Sequence, residues 1–152
     1  EVAGYMQQLR EQGRYTVSDA LLAKIRETFA GGCCNDIQTR EKIGRAWRDH
    51  RYLIDTHTAV AYHVLDEYRC ETGDAAPAVV VSTASPFKFC DQVLRGIGGT
   101  ADAFGPELIR RLTCETQIDA PAPLTGLDAR PVRFGGCVDQ SQMLHTVDEF
   151  LK

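Results

Sequence analysis

The run Ala78-Val79-Val80-Val81-Ser82-Thr83-Ala84-Ser85-Pro86-Phe87-Lys88-Phe89-Cys90 constrains this chain more than any other stretch. Four apolar residues, three of them valines, stand between the turn signals Gly73-Asp74 and Pro77 and the polar Ser82, Thr83 and Ser85, which predicts a short buried strand. A helix is expected next. Ser85 is a good N-cap, Pro86 suits a first turn, Phe89, Val93 and Leu94 share a face, and Gly96 follows. Strand, hydroxyl-bearing turn and helix start, in that order, form the place where open α/β sheets bind ligands. The first candidate for a small-molecule site therefore lies here.

The rest of the chain reads as mostly helical. Val2, Tyr5, Met6 and Leu9 predict a helix that stops at Gly13. Ser18 is expected to cap a second, whose stripe of Leu21, Leu22, Ile25 and Phe29 is assigned to the core and which Gly31-Gly32 ends. A third is expected from a cap at Asp36 to about His50, with Ile43, Ala46, Trp47 and His50 on one face. Gly44 inside it lowers helix propensity by ~1 kcal/mol. Val60, Val64, Leu65 and Tyr68 mark a fourth helix to about Cys70. Further on, Pro106 opens a helix with Leu108, Ile109 and Leu112, and Val132 to Val138 reads as a second strand weakened by Gly135-Gly136. Asp139 is expected to cap a last helix carrying Met143, Val147 and Leu151. The expectation is an α/β fold, helix-rich, with two or three strands and about six or seven helices. That is thin for a complete doubly wound fold and suits part of a larger sheet.

Composition narrows the function classes. At 152 residues the chain is expected to be a single domain, 1–152, large enough to bury roughly 70% of its unfolded surface. Its 43% hydrophobic and 25% charged residues are those of a globular protein. A net charge of -4 supplies no cationic excess for nucleic acid or for an anionic membrane surface, and neither partner is expected. The six cysteines contain no C-x-x-C pair and the four histidines have no zinc-like spacing, so no metal site is assigned. The cysteines read as reduced thiols of a cytoplasmic protein, and no apolar run approaches the ~20 residues that span a bilayer.

Several motifs have a functional and a structural reading. Ser85-Pro86-Phe87-Lys88 fits the S-x-x-K pattern of penicillin-binding proteins, but its companions S-D-N and K-T-G are absent. Gly96-Ile97-Gly98-Gly99 follows a helix rather than a strand and lacks a later glycine, so it reads as a helix-terminal turn rather than a phosphate cradle. Lys88, between two phenylalanines, is either a desolvated amine suited to Schiff-base chemistry or a surface lysine whose stem lies on apolar neighbours. His57 lies in a helix's first turn among Asp55, Thr56 and Thr58, where a capping reading competes with catalysis or anion binding. Thr83, at the strand's end, either caps the next turn or bonds a ligand atom.

Two stretches together resemble a known family. Tyr52-Leu53-Ile54-Asp55-Thr56-His57-Thr58-Ala59-Val60-Ala61-Tyr62 is similar to the D-P-H-T-A-V-A motif of the carboxyl-terminal part of threonine synthases. Val79 to Phe89 is similar to the T-A-H-P-A-K-F motif that follows it in that family, and Gly13 to Ser18 with Phe29 to Gly32 resemble the family's upstream linker and turn. Thr56 stands where the family has proline, and Ser85 where it has histidine.

The resemblance implies the carboxyl-terminal portion of a pyridoxal-phosphate enzyme of fold type II, tryptophan-synthase-β-like, converting O-phosphohomoserine and water to threonine and phosphate. It implies Thr83 as cofactor-binding, the hydroxyl partner of the pyridine nitrogen, with His57 and Lys88 in supporting or substrate-anion roles. The family's Schiff-base lysine is followed by aspartate, whereas Lys88 is followed by Phe89, and no Gly/Asn-rich phosphate loop is present. The chain is therefore expected to be inactive alone and to work with the remainder of its own polypeptide. The competing expectation is a stand-alone α/β ligand-binding or interaction module without cofactor, in which Thr83 and His57 are caps.

Overall fold

Capping residues set the helix starts in the computed structural model, which describes residues 1–133 and 135–151. Helix α1 (Val2–Gln12) ends at Gly13 in the left-handed conformation, φ 71°. Ser18 opens α2 (Asp19–Arg26), its hydroxyl accepting the Leu21 N–H at 3.3 Å. Asn35 rather than Asp36 caps α3 (Asp36–His50), because Asn35 and Gln38 form a reciprocal capping box. Asp55 caps α4 (Thr56–Thr72) and Gly73 closes it. Ser85 accepts the Phe87 N–H and starts a 3-10 turn, Pro86–Lys88, that leads into α5 (Cys90–Ile97). Helix α6 (Pro106–Thr116) begins on a proline, and α7 (Met143–Phe150) follows a short 3-10 turn.

The α/β expectation is corrected: the described residues form seven helices and no strand. Ala78 to Val81 is extended, but a strand is defined by a partner, and no backbone hydrogen bond reaches this run from the described residues. Val79 and Val81 are 89% and 69% exposed, so the burial expected of the valines is also missing, and only Val80 is half-buried. Val132 to Val138 forms no strand among its described residues, and Phe134 lies outside them.

Two compact units divide the chain, Glu1–Asp102 and Ala103–Lys152. In the first, α3 packs against α4 and α5, and the buried apolar side chains are Ile43, Ala46, Leu53, Ile54, Ala59, Phe87, Cys90, Val93 and Leu94. The stripe on α2 is corrected too. It buries none of its residues, and Phe29 is 68% exposed, because the principal packing of this unit is α3 on α4 and α5. Lys42 is buried on α3, its ammonium 2.5 Å from Asp66 on α4 and over the Tyr62 ring. The second unit holds α6 and α7. Arg110 on α6 bonds Glu107 at 3.0 Å and Asp128 at 2.8 Å, and α7 buries no residue. No described helix is long and apolar enough to cross a membrane.

Candidate functional site at the start of helix α4

A buried carboxylate organises the candidate site. Asp55 is fully buried at the N-cap of α4. Its Oδ1 accepts the His57 backbone N–H at 2.9 Å and lies 3.1 Å from His57 Nδ1, while its Oδ2 accepts the Thr58 hydroxyl. Burial alone would raise the pKa of this carboxyl, but the hydrogen bonds from Thr58 and His57 outweigh it and hold the pKa below the ordinary aspartate value. Asp55 is thus an anion inside the fold, with both oxygens committed.

Each oxygen leads to a different cleft. Thr58 has one proton, which Asp55 receives, so its 3.1 Å contact with Ser82 Oγ is made by Ser82 donating. Thr58 and Ser82 line a cleft of about 290 Å³ with Ala46, His50, Tyr52, Ile54, Tyr62 and Val80. His57 faces a second cleft, about 370 Å³, lined also by Cys34, Asp36, Thr39, Thr56, Val60, Phe89 and Gln92. There the imidazole meets the Phe89 ring edge-on, centroids 5.0 Å apart, and its side chain is 66% exposed. Arg40 on α3 donates to Gln92 on α5 at 3.1 Å, tying together the two helices that flank this cleft.

The sequence-predicted residues divide accordingly. His57 is not the cap of α4, since Asp55 holds that place and binds the imidazole as well. Thr83 is exposed, next to cleft-lining Ser82, and its hydroxyl has no partner among the described residues; Ser85 caps the following turn instead. Lys88 stands exposed at the end of the 3-10 turn, without the burial a desolvated amine requires. Thr58 and Ser82 were not singled out by sequence. Their signal was the spacing of Asp55, His57 and Thr58, which puts three polar groups on one helix start.

Both motif-bearing segments lie in the first unit, in which α3 packs against α4 and α5. The family model described as "Threonine synthase, C-terminal" matches residues 58–147, more than half of the chain. The chain belongs to the threonine synthase C-terminal family. Threonine synthase from Pseudomonas aeruginosa is 30% identical over 107 residues, which cover 70% of this chain and 22% of that protein. Human threonine synthase-like 1 is 27% identical over 89 residues, 59% of this chain and 12% of that one. The structure of a PLP-bound threonine synthase from Brucella melitensis superimposes with a TM-score of 0.71 at 29% identity, covering 99% of this chain and 27% of that one. Yeast threonine synthase, at 20% identity and a TM-score of 0.74, shows the same fold over 99% of this chain and 29% of that one. This family member thus spans between about an eighth and under a third of the length of these relatives.

Proposed function

We propose that this chain serves as the carboxyl-terminal part of a threonine synthase that converts O-phosphohomoserine and water to threonine and phosphate. The observation that carries the reading is the family match over residues 58–147, which takes in α4 from Thr58 onward, the extended Ala78–Ser85 segment and α5. The working partner is the remainder of its own polypeptide, and the small-molecule substrate is the phosphorylated amino acid. The chain has no lysine followed by aspartate and so lacks the family's cofactor-anchoring amine; on this reading it is inactive alone. Six free cysteines fit a reducing, cytoplasmic setting.

Pyridoxal phosphate, when bound, supplies the electron sink for proton removals next to the amino group. Thr83 is the residue of this chain that would hold it, through a hydroxyl bond to the ring nitrogen. An exposed, unpartnered hydroxyl on an extended segment beside a cleft fits that task, because nothing within the described chain competes for it. His57 and Lys88 serve in supporting roles, His57 from the cleft and Lys88 from the surface.

The test compares the 152-residue chain with the longer polypeptide that carries it, each supplied with pyridoxal phosphate and O-phosphohomoserine. The expected result is threonine and phosphate from the longer protein and neither from the chain alone. Product from the chain alone overturns the fragment reading. Turnover by the longer protein of a different phosphorylated substrate overturns the substrate assignment.

A further inference from the structure

We infer that Asp55 is a positioning residue that holds the His57 imidazole with its proton on Nδ1, leaving Nε2 as a fixed proton acceptor turned to the cleft between the starts of α3, α4 and α5. An ionised carboxylate only accepts hydrogen bonds, so a ring nitrogen 3.1 Å from Asp55 Oδ1 must carry a hydrogen. In the neutral ring the lone pair then sits on Nε2. That atom has no partner among the described residues, and the ring lines the cleft in an edge-on contact with Phe89. Three constraints fix the ring: the N-cap bond that pins Asp55, the Oδ1 contact, and the Phe89 edge. A buried carboxylate that orients an imidazole in this way is the arrangement by which histidine becomes an effective base.

The ligand group served is a neutral O–H rather than a phosphate. Helix N-termini bind anions through free N–H groups, but here Asp55 already takes the N–H group of His57 and occupies the place an anion would have. A second carboxylate, Asp36, lines the same cleft. The titratable or charged groups around the ring are Asp55 beneath it, Cys34 and Asp36 from the α3 side, and Asp91 and Arg40 beyond Gln92. The acidic groups dominate that set, which disfavours a bound anion.

In the step this supports, a water O–H bond breaks and its proton passes to Nε2 as the oxygen adds to one end of an electron-poor carbon–carbon double bond of the bound substrate, whose π pair moves onto the neighbouring carbon. The imidazolium is balanced by Asp55 and returns its proton to solvent, to which the ring is open. This rests on the threonine synthase reading for the reaction, in which water is consumed. The assignment of the ring proton does not.

Nitrogen-15 NMR of histidine-labelled chain reads the tautomer directly, without substrate. The expected result is Nδ1–H for His57 at neutral pH. In Asp55→Asn, whose amide group donates toward the ring, the proton moves to Nε2. In Thr58→Val, which disturbs the same buried network without touching the ring, it stays on Nδ1. An Nε2–H ring in the unaltered chain, or a tautomer indifferent to Asp55→Asn, overturns the inference. Inorganic phosphate titrated into the same sample should leave the His57 signals in place. A saturable shift there makes the residue an anion ligand and overturns the proton-acceptor role.

In the longer enzyme, Asp55→Asn should lower kcat about 100-fold or more with KM for the phosphorylated substrate unchanged, and should displace the acidic limb of the pH profile, where a base is protonated and lost. An unchanged kcat overturns the role in proton transfer. If the longer protein has no activity on O-phosphohomoserine, the functional reading fails, while the tautomer and phosphate measurements still decide this one.

Discussion

Gly44 on α3 lies against the carbonyl of Gly96 on α5, and a Cβ added to Gly44 would stand 2.4 Å from that oxygen. The contact is mutual, since a Cβ on Gly96 would stand 2.9 Å from Ile43 Cβ and 3.0 Å from the Arg40 carbonyl. Two helices cross here at backbone distance, and the pair brings Phe89 and Gln92 to the cleft that His57 faces.

Gly44→Ala should therefore destabilise the chain by about 1–3 kcal/mol or more. Alanine gains about 1 kcal/mol of helix propensity at this position, but the clash is with backbone, which moves only if α5 moves. A denaturant midpoint that rises in Gly44→Ala contradicts the close crossing.

That glycine shows what a sequence conceals. Read locally it weakens a helix, and only the position of α5 explains why a helix keeps it. The helix periods themselves were legible, because Ile43 and Ala46 do face the interior and the Ser18 and Ser85 caps sit where their side chains accept N–H groups. The valine run was misleading: composition reports affinity for a sheet, whereas a sheet needs a partner strand, and Val79 and Val81 remain exposed without one. The apolar stripe of α2 misled in the same way, since periodicity shows which residues share a face and not whether anything covers it. At the site, the motif containing His57 was visible. The depth of Asp55 was not, because capping and burial look alike in a linear sequence.

Asp55 also makes stability depend on pH. Its pKa in the folded chain lies below the 3.8 of an ordinary aspartate, so its bonds contribute stability above that value, which is lost as pH falls through 3.8 toward the folded pKa. Glu107 and Asp128, held low by Arg110, act in the same direction at the surface. Urea unfolding at neutral pH and at successive lower pH values should give a steeper acid loss for the unaltered chain than for Asp55→Asn. Equal slopes would mean that the carboxylate is not held by its native bonds.

Thiol chemistry should single out one cysteine. Cys90 is buried at the start of α5 and donates to the Phe87 carbonyl at 3.1 Å, and burial, with the charge of Asp91 adding to it, pushes its pKa up to about 11. The thiolate is the reactive form, so Cys90 should be the last of the six to be alkylated in the folded chain. Cys33, Cys70, Cys114 and Cys137 are exposed and should react first, with Cys34, half-buried and 3.1 Å from the Thr39 hydroxyl, between them. Mass spectrometry of timed iodoacetamide reactions, with and without denaturant, checks the order. Early labelling of Cys90 in native buffer would contradict its burial.

Two threonines separate cofactor binding from packing. Thr83 is exposed and its hydroxyl has no partner among the described residues, so Thr83→Val should change stability by no more than about 0.5 kcal/mol. Thr58 is buried, and its hydroxyl bonds Asp55 and meets Ser82. Thr58→Val leaves a buried carboxylate short of a donor and should cost about 1–3 kcal/mol. In the longer enzyme the order reverses for cofactor chemistry: Thr83→Val should weaken pyridoxal-phosphate binding and turnover while the melting temperature holds. Thermal melts of both variants, paired with cofactor titration followed by visible absorbance, make the comparison. If Thr83→Val unfolds as readily as Thr58→Val, the hydroxyl is structural; if cofactor affinity and turnover survive it, the ring nitrogen is held elsewhere.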